Sequence, residues 1–105
     1  MKKILAVLMM LVFAGCTVHL LEPVDADAVR GGEKYPGITL DELQHGKFLY
    51  ERYCEKCHRL KRPASRKEDA WIKIMPKMAL KSKIDAPTKD LILRYLITMS
   101  TAPKK

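Results

Sequence analysis

Two thiols and an imidazole lie within five consecutive positions, Cys54-Glu55-Lys56-Cys57-His58. Cysteines three positions apart can each add to a vinyl group of a haem, and a histidine directly after them can ligate the iron from beneath the ring. This C-x-x-C-H pattern predicts one covalently attached haem c, held through Cys54 and Cys57, with His58 as the proximal iron ligand. The pattern also arises by chance, so the prediction depends on the surrounding segments.

Two other uses of a Cys-x-x-Cys pair fit the chain less well. A redox-active dithiol usually follows a strand, and no strand-like alternation precedes Cys54. A zinc site would need two more well-spaced ligands, and the remaining histidines are only His19 and His45.

Residues 1–15 have the layout of an export signal. Lys2 and Lys3 precede an uncharged apolar run over residues 4–13, which is shorter than the roughly 18 residues that span a bilayer. Residues 13–16, Phe-Ala-Gly-Cys, resemble a bacterial lipobox, in which Cys16 would receive a diacylglyceryl group and become the new N-terminus. The alternative is an ordinary secretory signal with Cys16 unmodified.

Lipidation of Cys16 would anchor the protein to a membrane, because two or more acyl chains hold a protein stably on a bilayer. Thr17 follows the cysteine where resembling inner-membrane lipoproteins have aspartate, so the periplasmic side of the outer membrane is favoured. These assignments use all three cysteines of the chain.

The composition is strongly basic. The formal charge is +8 over 105 residues, and removal of the export signal takes away two lysines. A basic surface favours an acidic protein partner or an anionic membrane, and export argues against nucleic acid.

Glycine and proline interrupt residues 16–38, which show little apolar periodicity. This composition predicts a flexible linker between the lipid and a domain over residues 39–101, long enough for the domain to stand clear of the headgroups. Residues 102–105 form a C-terminal tail, and the chain is expected to fray from residue 101 onward.

The domain is predicted to contain about three helices. Thr39 with Glu42 forms a capping box that starts a helix over residues 40–53, and Ser65 with Glu68 forms a second one. Pro76 should interrupt that second helix and leave Met78 at or beyond its end. A last helix over residues 88–100 carries a clear apolar stripe.

Gly46 lies in the middle of the first predicted helix, where glycine costs about 1 kcal/mol relative to alanine. Such a cost suggests close approach by another helix. Because three short helices make a thin core, a haem packed between them would supply the missing interior, and we expect the chain without haem to be largely unfolded.

Together these features resemble the class I cytochromes c over residues 40–99. The resemblance implies an all-α fold of about three helices around one covalently bound haem. In that family a glycine and an aromatic residue of the first helix cross an aromatic residue of the last, which implies contact of Gly46 and Tyr50 with Tyr95. The residues that carry the resemblance are Gly46, Tyr50, Cys54, Cys57, His58, Trp71, Met78, Leu91, Tyr95 and Leu96.

The second axial ligand is predicted to be Met78, which follows the motif and precedes the last helix as the family ligand usually does. Met75, one turn away, is the alternative. A thioether favours ferrous iron and so raises the reduction potential. Met99 fits better as core, and His45 as an exposed side chain.

Three further residues are candidates for contact with the haem propionates: Trp71, Arg62 and Arg66. Trp71 would donate through its indole N–H, although it could equally be a core residue. A basic rim around an exposed haem edge, or a merely solvated surface, could be formed by Lys56, Arg59, Lys61, Lys77, Lys81 and Lys83.

The sequence therefore predicts a periplasmic, lipid-anchored monohaem cytochrome that carries single electrons between redox partners with acidic docking surfaces. No catalytic residue and no small-molecule substrate are expected. One alternative is a haem protein with an open sixth site, a peroxidase or gas sensor, although no distal histidine candidate appears. Another is a dedicated electron-transfer subunit of a larger oxidoreductase.

Overall fold

A computed structural model of the chain describes residues 20–54 and 60–103. These residues form helices without any strand, so the all-α prediction is confirmed for them. None of their helices is long and apolar enough to cross a bilayer. The elements are α1 (Asp25–Gly31), α2 (Leu40–Cys54), a 3₁₀ turn (Pro63–Ser65), α3 (Glu68–Ser82) and α4 (Ala86–Ser100).

Helices α2 and α4 cross at Gly46. A Cβ atom added to Gly46 would lie 2.4 Å from the Leu91 carbonyl oxygen and 2.8 Å from the Tyr95 Cβ. Real Cβ atoms essentially never approach other atoms so closely, so only glycine fits without a shift of one helix. The close approach expected from a mid-helix glycine is confirmed, and the rings of Tyr50 and Tyr95 lie 6.1 Å apart beside it.

Both of these helices begin at side-chain caps. The Glu42 N–H donates to the Thr39 hydroxyl at 3.1 Å, and Glu42 accepts from the Thr39 N–H at 3.3 Å, as the capping box predicted. Asp85 accepts from the Thr88 N–H at 2.9 Å and starts α4 two residues earlier than expected. Ile92, Tyr95 and Leu96 of α4 are fully buried.

The prediction of a second capping box, formed by Ser65 and Glu68, is wrong. The Ser65 hydroxyl donates to the Arg62 carbonyl at 2.6 Å and stabilises the 3₁₀ turn, and Lys67 precedes the first helical residue without a side-chain cap. Since the hydroxyl is used within the turn, α3 begins at Glu68, two residues later than a helix capped by Ser65 would.

The expectation that Pro76 interrupts the helix is also wrong, because α3 continues through it to Ser82. Proline in a helix interior costs about 3 kcal/mol or more through a lost hydrogen bond and a steric clash. Trp71, Met75 and Ala79 recur at i, i+4 and i+8 and are all buried. Burying side chains such as the first two contributes about 1.5–3 kcal/mol each, enough to offset the proline.

The segment assigned to a flexible linker is structured from residue 20 onward. Pro23 is fully buried, and α1 packs against both α2 and α4. Arg30 of α1 pairs with the buried Asp27 at 2.7 Å and donates to the Thr98 carbonyl at 3.0 Å, near the C-terminal end of α4. The local ion pair and the tertiary hydrogen bond to Thr98 together stabilise a seven-residue helix that has little stability of its own.

Replacing Gly46 by alanine tests the crossing. Alanine is the better helix former by about 1 kcal/mol, yet we expect Gly46→Ala to lower the free energy of unfolding by about 1–3 kcal/mol through overpacking. Guanidinium chloride unfolding measures the change. His45→Ala, at an exposed position of the same helix, is the control and should be nearly neutral; a Gly46→Ala protein as stable as this control would contradict the crossing.

Candidate functional site

A cleft of about 450 Å³ opens between the C-terminal end of α2 and α3. Its volume lies within the range of small-molecule and cofactor sites. Its lining combines apolar and aromatic side chains with basic ones. The lining residues are Tyr50, Cys54, Leu60, Lys61, Arg66, Trp71, Ile74, Lys77, Met78, Lys81 and Ser82.

Cys54 is the last residue of α2, and its side chain is buried in the wall of this cleft. It is the one residue of the C-x-x-C-H pattern whose position is described, because Cys57 and His58 lie outside the described residues, as does Cys16. Among the residues described, no cluster of three metal-binding His, Cys, Asp or Glu side chains occurs.

Tyr50 ties the chain together on both sides of the motif. Its hydroxyl donates to the Lys61 carbonyl at 2.6 Å and accepts from the Lys61 N–H at 3.1 Å. Tyr50 lies one helical turn before Cys54, and Lys61 follows the motif by three residues. One buried side chain therefore holds the end of α2 beside the returning chain.

Burial raises the pKa of Tyr50 to about 12. The phenol is therefore neutral at physiological pH, and it keeps the proton that it donates to the Lys61 carbonyl.

The structure separates the two candidate methionine ligands. Met78 lines the cleft together with Cys54 and is partly buried. Met75 is 1% exposed and belongs to the hydrophobic core with Trp71 and Ile92. The side chain of Met78 is thus available to a group bound in the cleft, whereas that of Met75 is surrounded by protein.

The ring of Trp71 lines the cleft, and its indole N–H is hydrogen-bonded within the protein. The indole Nε1 donates to the Pro63 carbonyl at 2.9 Å, and the ring meets Tyr50 edge to face with centroids 6.3 Å apart. Because indole has a single N–H, this donor is used within the protein. Trp71 is a buried core residue, and its contact with a haem propionate stays a prediction.

Arg66 is the cationic side chain best placed to receive an anionic group. It lines the cleft, and its guanidinium carbon lies 5.4 Å from the centre of the Trp71 ring. Its Nε is buried and has no hydrogen-bond partner among the described residues, and a buried unpaired donor costs about 1–3 kcal/mol, more when charged. Arg62 is exposed beside the 3₁₀ turn and does not line the cleft.

Three lysines complete the basic side of the cleft. Lys61 comes from the segment after the motif, and Lys77 and Lys81 lie one turn apart on α3. With Arg66 they give the rim a positive potential, which attracts carboxylates.

Comparisons of the chain with protein-family models, with curated proteins and with solved structures returned no match.

Sequence reasoning missed several residues of this cleft. Ile74 lies four residues before Met78, and helical periodicity would have placed both on one face had α3 been extended through Pro76. The double hydrogen bond of the Tyr50 hydroxyl has no sequence signal, because its partner is the backbone of a residue eleven positions away.

Removing the Tyr50 hydroxyl should loosen the segment after the motif. Tyr50→Phe keeps the aromatic packing but removes two hydrogen bonds to Lys61, each contributing about 0.5–1.5 kcal/mol. We expect the free energy of unfolding to fall by about 1–3 kcal/mol, measured by denaturant titration.

Tyr53→Phe on the same helix is the matched control, since no hydrogen bond of its hydroxyl to a described residue is seen. Equal stability of the two variants would show that Tyr50 does not fix the segment at Lys61.

Proposed function

We propose that the chain is a lipid-anchored monohaem c-type cytochrome, which carries single electrons between redox partners on the periplasmic side of a bacterial membrane. The observation that carries the proposal is that Cys54 of the C-x-x-C-H pattern and the thioether of Met78 line the same cleft. The pattern predicts where haem would be attached, and this cleft is adjacent to the attachment point.

The residues of the cleft fit a haem. An apolar surface for a flat hydrophobic ring is formed by Leu60, Ile74 and Trp71. The buried Nε of Arg66 requires a hydrogen-bond acceptor, which the described residues do not supply. Haem meets both requirements because its ring is apolar and its propionates are anionic. Cys54 and Cys57 would hold it covalently, and His58 and Met78 would be the axial ligands.

A bound haem would supply reversible one-electron exchange at its iron. The chain's own contribution is to fix the ligands and exclude water from most of the ring. Tyr50 fixes the segment around the motif, and the buried residues of α3 hold Met78 at the cleft. A soft, neutral sulfur ligand stabilises the ferrous state and raises the reduction potential.

The ionisable groups at the cleft favour a carrier over a peroxidase. Peroxide chemistry needs an acid or base beside an open coordination position. Apart from Cys54 and Ser82, the described lining residues are basic, aromatic or apolar, and none of the described lining residues carries a carboxylate or an imidazole. Tyr50 is hydrogen-bonded to the backbone and has a raised pKa.

The outer face of α3 suggests the chemistry of the redox partner. Ile72, Pro76 and Leu80 recur every four residues and are exposed, Leu80 by 81%. A row of lysines, Lys73, Lys77 and Lys81, runs beside them and reaches the cleft. An acidic partner with an apolar centre would complement both rows, and its charge would accelerate association at low salt.

A methionine substitution tests the proposed coordination. In the reduced holoprotein we expect a six-coordinate, low-spin spectrum that carbon monoxide does not change. Met78→Ala should open the sixth position and produce a rapid carbon monoxide shift in the absorption spectrum. Met75→Leu, a volume-conserving core substitution costing less than about 1.5 kcal/mol, should keep the native spectrum.

The carrier proposal fails if the native protein itself binds carbon monoxide rapidly. If Met75→Leu, rather than Met78→Ala, opens the site, then the carrier stands and the ligand is Met75.

A charge reversal tests the basic rim. Oxidation of the reduced protein by the anion ferricyanide should slow several-fold in Lys77→Glu, and the effect should fade at 1 M salt, where the Debye length is about 3 Å. Lys89→Glu makes the same change of net charge at a residue that does not line this cleft, so it should slow the reaction much less. Equal slowing of both variants, measured by stopped flow, would rule out local steering by the rim.

A further inference from the structure

We propose that the surface around Leu21 and Val24 lies against the headgroups of the membrane that carries the lipid anchor. This inference rests on the proposed lipidation of Cys16. The sequence predicted a domain that stands clear of the headgroups on a flexible linker, whereas we now expect the domain to be held in contact with the bilayer.

The folded domain begins almost immediately after the proposed anchor. Leu20 packs against the hydrophobic core, and Glu22 pairs with Lys47 of α2 at 2.7 Å. Pro23 is fully buried, and the Val24 N–H donates to Asp27 at 2.8 Å. The chain is thus fixed to the domain from residue 20 onward.

The remaining tether is short. Four peptide units separate Cys16 from Leu20, and a fully extended chain covers at most about 3.6 Å per residue, or about 14 Å in all. The headgroup region on each side of a bilayer is itself about 5–8 Å thick. Even when the tether is fully extended, the distance from the headgroup surface to Leu20 is therefore less than the diameter of one helix, about 10 Å.

The side chains beside this point suit a bilayer surface. Leu21 is 50% exposed and Val24 is 56% exposed, while their neighbours Leu20 and Pro23 are turned to the core. Apolar side chains at a membrane interface add binding free energy in proportion to the area they bury.

The charges around this surface favour a zwitterionic lipid. Asp25 and Glu33 are exposed on or next to α1. The nearby basic side chains are in ion pairs, Arg30 with Asp27, Lys34 with Glu68 and Lys47 with Glu22. Contact should therefore depend on apolar burial and tether length, with little dependence on salt. The basic rim would be left for the redox partner.

Depth-dependent quenching tests the proposal on the lipidated holoprotein in phosphatidylcholine vesicles. Val24→Cys and Leu80→Cys each provide one exposed thiol for an environment-sensitive fluorophore. We expect bromine-labelled lipid to quench the label at position 24 several-fold more than the label at position 80. Insertion of about ten Gly/Ser residues after Thr17 adds roughly 17 Å of average reach and should reduce that difference.

Mass spectrometry of each sample shows whether a negative result concerns the contact surface, the lipid anchor or the proposed cytochrome. Equal lipid quenching at positions 24 and 80, in a protein whose mass includes acyl chains and haem, overturns the contact surface and leaves the proposed function intact. A mass without acyl chains overturns the lipid anchor, and with it this inference. A mass without haem overturns the proposed cytochrome. The quenching at positions 24 and 80 then still shows whether the surface around Leu21 and Val24 contacts the membrane.

Discussion

The close approach of α2 and α4 at Gly46 is the constraint on which the rest of the structure depends. With no Cβ at Gly46, the α4 backbone at Leu91 and the Cβ of Tyr95 pack directly against α2. Beside this crossing, the centroid of the Tyr50 ring lies 6.3 Å from that of Trp71 and 6.1 Å from that of Tyr95. The Tyr50 hydroxyl then reaches both backbone groups of Lys61. The helix crossing and this hydrogen bonding thus place the end of α2 beside Lys61.

Helix α3 supplies the opposite wall and does so in spite of Pro76. Its buried face, formed by Trp71, Met75 and Ala79, offsets the cost of the proline and carries the helix on to Ser82. That continuation leaves Met78 and Lys81 at the cleft. The same helix offers its exposed row of apolar and lysine side chains to solvent, so one element serves both the proposed cofactor site and the proposed docking surface.

The sequence was most informative where a local pattern and the packing agree. The Thr39 capping box, the apolar stripe of α4 and the glycine at the crossing were all predicted and are all present. It misled where tertiary contacts outweigh local preference, as in the continuation past Pro76 and in α1. Helix α1 is held by Arg30, which donates to the Thr98 carbonyl near the far end of the chain, and by Asp27, which accepts from the N–H of Val24 just before the helix. The C-x-x-C-H pattern is the basis for proposing haem as the ligand. The lining residues and the volume of the cleft come from the structure alone.

The mass and absorption spectrum of the mature protein, purified from a host with working haem-ligation machinery, test the central claim most directly. The account predicts a coloured protein whose mass includes one covalently bound haem, and loss of both in a Cys54→Ala, Cys57→Ala variant. A colourless native protein that is compactly folded and has the mass of the polypeptide alone would contradict it.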